Sequence, residues 1–265
     1  MSRMKIRLFQ IDAFTDRVFC GNPAAVCPLD AWLPDALMQQ IAMENNLAET
    51  AFFIKGAGRF DIRWFTPSVE VDLCGHATLA AAFVLFEYEK FAGSMIEFGS
   101  RSGLLRVHRD GNLMMLDFPA DVPLAAEAPE SLIAGIGLPP RETYRGKTDY
   151  MLVYSSPEEI ETMKPDMKRI AEIAARGIIV TAPGKGVDFV SRFFAPQSGI
   201  DEDPVTGSAH TTLTPYWAAR LGKDELTAMQ LSRRRGWLKC RLKGSRVEIA
   251  GQAQAYMAGE ITINP

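Results

Sequence analysis

The chain has 265 residues, 47% of them hydrophobic and 23% charged, with mean hydropathy −0.02, a formal net charge of −3 and a pI near 5.7. That composition fits one or two globular domains with a large core, and it argues against general nucleic-acid binding, which needs a basic face. The sequence shows no leader-like apolar region after Met1 and no apolar run approaching the roughly 18 residues of a membrane span, so a cytoplasmic protein with no membrane partner is expected.

In chain order, residues 4–14 alternate like a strand, and Pro34 to Asn45 has helical spacing through Leu37 and Ile41. Thr50–Lys55 and Phe60–Thr66 read as strands on either side of a Gly56-Ala57-Gly58 turn. Residues 76–91 are apolar on every side, which predicts a helix buried on every side. Strands follow near 94–99, 104–109 and 112–118, the last two joined across Asp110-Gly111. The stretch 119–147, with five prolines, is the best domain boundary. Beyond it come a strand at 151–155, one or two helices in 157–175, and strands at 177–182 and 187–195. A helix follows Ser208, with Pro215 expected to kink it, and then a meander over 228–232, 236–243, 245–250 and 252–263.

One pattern occurs twice. Arg63-Trp64-Phe65-Thr66-Pro67 leads by a short loop to Gly75-His76-Ala77-Thr78 and an apolar helix. Arg192-Phe193-Phe194-Ala195-Pro196 leads to Thr206-Gly207-Ser208-Ala209-His210 and another, about half the chain length later. This repeat predicts two similar halves whose helix N-termini face one shared cleft. The unpaired amides and dipole of such ends suit an anion such as a carboxylate, and Gly75 and Gly207 would admit it close to the backbone. Read singly, each motif is better explained as an ordinary helix cap; it is the duplication that favours the anion site.

The reactive side chains leave alternatives open. Glu49, between a helix and an apolar strand, is either a surface residue or a desolvated general acid/base with a raised pKa. His76, at a helix start, is expected neutral, and is either structural or functional. Cys74 is either a thiolate activated by the helix end or a buried structural thiol. Asp203 belongs to an acidic cluster that could simply favour a helix start, and Ser208 could be only an N-cap. Cys20, Cys27, Cys74 and Cys240 form no CxxC pair and have no ligand spacing with the three histidines, so free thiols and no metal are expected. No phosphate-binding signature is complete.

Together these segments resemble the PhzF (phenazine-biosynthesis-like) family within the diaminopimelate-epimerase-like fold. The matching pieces are Asp12-Ala13-Phe14, Gly21-Asn22-Pro23-Ala24-Ala25-Val26, Asn46-Leu47-Ala48-Glu49-Thr50-Ala51-Phe52 and Trp64-Phe65-Thr66-Pro67. Cys74-Gly75-His76-Ala77-Thr78 and Asp203-Pro204-Val205-Thr206-Gly207-Ser208-Ala209-His210 complete the set. The resemblance implies an α/β (α+β) protein of two pseudo-symmetric domains, each a β-barrel-like sheet around a central helix, with the active site between them. The expected halves are 1–120 and 121–257, with the strand at about 258–265 able to return to the first. It further implies a homodimer and proton transfer without a cofactor. By motif, Glu49 matches the acid/base and His76, Asp203 and Ser208 the other catalytic residues. Cys74, Gly75, Ala77, Gly207 and Ala209 are expected to bind substrate. The second half has no cysteine to match Cys74, which disfavours a two-thiol racemase. The expected function is an isomerase acting on a small carboxylate-bearing substrate. The alternatives are an amino-acid epimerase using Cys74 and a non-catalytic binding protein of the same fold.

Overall fold

The computed structural model describes residues 3–263. Positions 1, 2, 264 and 265, including the last two of the strand expected over 258–265, lie outside the described residues. The chain divides into two units: one runs to Asp117 and resumes at Ala250, and the other is Phe118–Ile249. Among the described residues no helix is long and apolar enough to cross a membrane.

The first unit begins with β1 (Met4–Ala13), β2 (Asn22–Leu29), α1 (Asp35–Asn45), β3 (Glu49–Lys55), β4 (Phe60–Phe65) and β5 (Glu70–Val71). It continues with α2 (Gly75–Glu87), β6 (Met95–Ser100), β7 (Gly103–Asp110) and β8 (Leu113–Pro119). β2 runs antiparallel to β1 and parallel to β3, and α1 makes the crossover. β2 is nearly all buried because α2 packs on it and a second cluster, with Met38, Ile41 and Ala42 of α1, also draws Ala25 and Cys27. Such burial explains why it carries an unbroken small-apolar run and no alternation, and why the sequence pattern did not mark it as a strand. α2 is buried from His76 to Ala82 and again from Val84 to Phe86, as its all-round apolar sequence requires. It ends at Glu87, short of the expected 91, with Tyr88 as its C-cap.

The second unit holds β9 (Leu124–Ala125), α3 (Glu130–Ile136), β10 (Glu142–Arg145), β11 (Asp149–Val153), α4 (Pro157–Glu161) and α5 (Met167–Ile170). After these come β12 (Gly177–Pro183), β13 (Phe189–Ala195), β14 (Ile200–Glu202), α6 (Gly207–Leu221), β15 (Glu225–Gln230), β16 (Gly236–Lys243) and β17 (Arg246–Gly251). The proline-rich stretch therefore contains a helix, not only a linker. Pro129 stands at its N-cap, Leu132 and Ile136 face inward, and Gly137 closes it at φ 79°. The last element of the described residues is β18 (Ala253–Ile263), which belongs to the first unit and pairs antiparallel with β1 from Ala13↔Ala253 to Met4↔Ile263.

Topology repeats with the sequence. In the first unit β2 is parallel to β3, β3 antiparallel to β4, β4 antiparallel to β5 and parallel to β6, and β6 antiparallel to β7. In the second, β11, β12, β13, β14, β15 and β16 stand in those same relations. Each unit is a sheet wrapped around one central helix. The repeated arginine has one job in both. Arg63 makes a two-point ion pair with Glu70, donating through Nε and Nη2 at 2.7 Å each, and lies over Phe65. Arg192 pairs with Glu202 at 2.7 and 2.9 Å and lies over Phe194.

Pro215 sits inside α6, which nonetheless runs unbroken to Leu221. Proline removes the N–H that would bond Thr211 C=O. Asp121 N–H donates to that carbonyl at 3.1 Å instead, so the freed acceptor is satisfied.

Candidate active site

Glu49 opens β3, where the parallel register sets it beside Ala24. The approach is fixed by Asn46, which ends α1 in the left-handed conformation, and by Asn45 Nδ2 donating to Thr50 Oγ1 at 3.1 Å. The loop from β5 delivers Cys74 as the N-cap of α2, with no side chain capping the helix, and Gly75, His76 and Ala77 form the first turn. Here the structure brings Glu49, Cys74 and His76 together. His76 Nε2 lies 3.1 Å from Glu49 Oε2, and His76 Nδ1 lies 3.2 Å from Asn22 Nδ2 and 3.5 Å from Cys74 Sγ. The ring and the carboxylate are 7% and 13% exposed, so their interaction is little screened by water.

The electrostatics reverse two expectations. Burial pushes the Glu49 carboxyl up, but the charge and hydrogen bond of His76 outweigh it and hold Glu49 below the usual carboxylate range. Burial likewise disfavours a charged His76, yet Cys74 and Glu49 outweigh it and raise the ring well above the ordinary imidazole value. The pair is therefore biased toward carboxylate and imidazolium, not toward a neutral ring beside a protonated acid. For Cys74 the choice falls on the buried thiol, since burial and then the negative charge of Glu49 push it up to about 11. Glu49, Cys74 and His76 offer three ligand atoms within 4.8 Å of one another. The ring turns Nε2 to Glu49 and Nδ1 to Cys74, so its two nitrogens face different partners.

In the second unit, Thr206 is the N-cap of α6, and Gly207, Ser208 and Ala209 form its first turn. Thr206 Oγ1 donates to Asp203 Oδ2 at 2.5 Å, which ties Asp203 to the helix start and leaves the cap without a side-chain bond to the helix amides. Fully buried Gln230 clamps this turn. Its Oε1 accepts from Thr206 N–H at 2.8 Å and its Nε2 donates to Asp203 C=O at 2.8 Å, while Ser232 Oγ donates to Pro204 C=O. Ser208 is not the N-cap it could have been. Its Oγ accepts from Arg176 Nη1 at 2.8 Å, and Arg176 is held by Asp149, which is buried and bonded to it through Nε and Nη2. A Cβ added at Gly207 would meet no atom within 4 Å, so the protein itself does not require glycine there. His210 is buried and pushed down to about 4 by desolvation, and its Nδ1 lies 2.8 Å from Thr206 C=O; it is a neutral structural ring.

The sequence pattern singles out Glu49, His76, Cys74, Asp203 and Ser208 and gives no role to Asn22, Arg176, Asp149 or Gln230. Asn22 lay inside a recognised motif. Arg176 had no signal, since its partner Asp149 lies 27 positions away.

The family model described as phenazine biosynthesis-like protein matches residues 11–259. An uncharacterized isomerase of Pseudomonas aeruginosa is 54% identical over 262 residues, covering 98% of this chain and 100% of that protein. The crystal structure of a PhzF-family phenazine biosynthesis protein from Enterococcus faecalis superposes with a TM-score of 0.95 at 46% identity, over 97% of this chain and 99% of that one. A hydroxyproline epimerase from Agrobacterium vitis shares the fold alone, with a TM-score of 0.63 at 9% identity over 98% of this chain and 93% of that one.

Proposed function

The chain belongs to the phenazine biosynthesis-like protein family, and from that membership we propose that it is an isomerase that moves a proton on a small carboxylate-bearing substrate, without a cofactor and with Glu49 as acid/base. The observation that carries this reading is the buried Glu49–His76 contact at the start of α2. A Glu49 held below the usual carboxylate range is already a base at neutral pH. It takes a proton from a substrate carbon, the C–H electron pair moves into the substrate's conjugated system, and protonated Glu49 returns the proton to a different atom. Glu49 ends as it began, and no oxidant or reductant is needed. His76 faces Glu49 through Nε2 and stabilises the carboxylate before and after the transfer. The first-turn amides of α2 oppose the negative charge that develops on the substrate. Proton transfer of this kind supplies about 10²–10⁴-fold of the rate.

The proposal extends to Asp203 and Ser208 as further catalytic residues, and to the backbone at Gly75, Ala77, Gly207 and Ala209 as the carboxylate-binding surface. A thiol-based epimerase fits less well. Cys74 is pushed up to about 11, and the residue before Gly207, matching Cys74 before Gly75, is Thr206.

A panel of small carboxylates incubated in D₂O and followed by NMR tests the reading. A positional isomer carrying solvent deuterium is expected, with Cys74→Ala keeping turnover within about tenfold. Inversion at a single stereocentre that disappears in Cys74→Ala would instead establish the epimerase.

A further inference from the structure

The Gly21-Asn22-Pro23 segment is built for one purpose that the acid/base assignment leaves unused. Gly21 has φ 67°, and a Cβ there would lie 2.1 Å from Ala13 C=O, so only glycine lets the chain turn this tightly into β2. The turn is braced by Asp12 Oδ2, which accepts from Phe19 N–H at 2.8 Å. Pairing with β1 fixes the next residues, Asn22 opposite Ala13 and Pro23 opposite Asp12. Asn22 is thereby held fully buried, with its amide against His76 Nδ1, on the side of the ring away from Glu49.

A side-chain amide carries a donor on one atom and an acceptor on the other, and a half-turn exchanges them. A neutral His76 protonated at Nε2 needs a donor at Nδ1, which Nδ2 supplies. A charged His76 needs an acceptor there, which Oδ1 supplies after the half-turn. Cys74 Sγ, the other group at Nδ1, is a weak partner in either role. We propose that Asn22 is a positioning residue that partners Nδ1 of His76 in both of its charge states, so that the ring changes charge in place beside Glu49 with its Nδ1 matched in each. The use of this device rests on the reading of Glu49 and His76 as the proton-handling pair. While Glu49 is a carboxylate it favours the charged ring; once Glu49 has taken the substrate's proton that support is gone, and the ring's partner at Nδ1 must suit either state. The titratable groups acting on the ring are Glu49 from β3 and Cys74 from the residue before α2.

The test needs no substrate, so it stands apart from the fate of the isomerase assignment. The chain has three histidines, His76, His108 and His210, and ring ¹⁵N NMR of histidine-labelled protein can follow each from pH 5 to 9. Asn22→Asp keeps the size of the side chain and makes the position acceptor-only, so it favours the charged ring. Asn22→Leu removes both partners and favours the neutral one. The His76 midpoint is expected to rise by about one pH unit in the first and to fall by about one in the second. If Asn22→Leu fails to fold, Asn22→Asp decides alone by the upward shift. A midpoint unmoved by either change, shifts of the same sign, or one charge state in all three proteins overturns the proposal.

Discussion

Glu49 and His76 each do the opposite of what burial alone dictates. Desolvation would protonate the acid and neutralise the base, but His76 outweighs the burial of Glu49, and Cys74 and Glu49 together outweigh the burial of His76. This has a consequence for stability with a definite sign. A depressed Glu49 contributes stability present above its ordinary value of 4.5, lost as pH falls through the lowered one. A raised His76 contributes stability present below its ordinary value of 6.5, lost as pH rises through the raised one. Both are complete between 4.5 and 6.5, so the Tm difference between the native chain and Glu49→Gln should be largest there and shrink on both sides. Thermal melts across pH check it; a difference that grew steadily toward high pH would show that the ring is not paired with Glu49. The sequence places Glu49 between a helix and its strand, and the raised pKa of its desolvated alternative is opposite to the lowered one found. The reason is that His76 lies 27 positions further on, and nothing in the local pattern reveals their contact.

At the scale of elements, the repeated arginines are the clearest link from sequence to fold. Arg192 is 12% exposed, pairs with Glu202 and also donates to Ile160 and Met163 C=O. Arg192→Leu should destabilise the chain by about 3 kcal/mol in urea unfolding, because it leaves Glu202 largely buried without its partner. Arg192→Leu with Glu202→Leu should recover part of that loss. If the double change were no better than the single one, the ion pair would not be what holds β13 to β14. Gly207 poses the complementary case. Its open surroundings mean that Gly207→Ala should leave stability unchanged or raise it slightly, by less than about 1 kcal/mol, as thermal melts can check. If Gly207 admits the substrate as proposed, the same change should raise KM. The repeat, α2 and the strands around both helix starts were legible because their periodicity and end signals agree. β2 and α3 were not. β2 is buried on both faces and has no alternation, and α3 is a short helix hidden among prolines, although Pro129 and Gly137 do mark its ends. Arg176 and Gln230 escaped because their roles depend on strand register, which no local pattern encodes.

For the molecule as a whole, the chain's last strand completes its first unit: β18 pairs with β1 along the whole length of β1. Removing residues 253–265 should therefore expose the edge of β1, and amides of β1 should then exchange with solvent far faster than those of β12, which keeps both its neighbours. Equal loss of protection in both strands would mean that the two units do not respond separately. The central claim, that a single carboxylate carries the proton, is tested most directly by Glu49→Gln, which keeps the shape of the side chain and removes its basicity. With a carboxylate that the native chain isomerises in D₂O, deuterium incorporation into product should fall at least about 10²-fold in Glu49→Gln while the protein remains folded. Incorporation at the native rate would contradict the account.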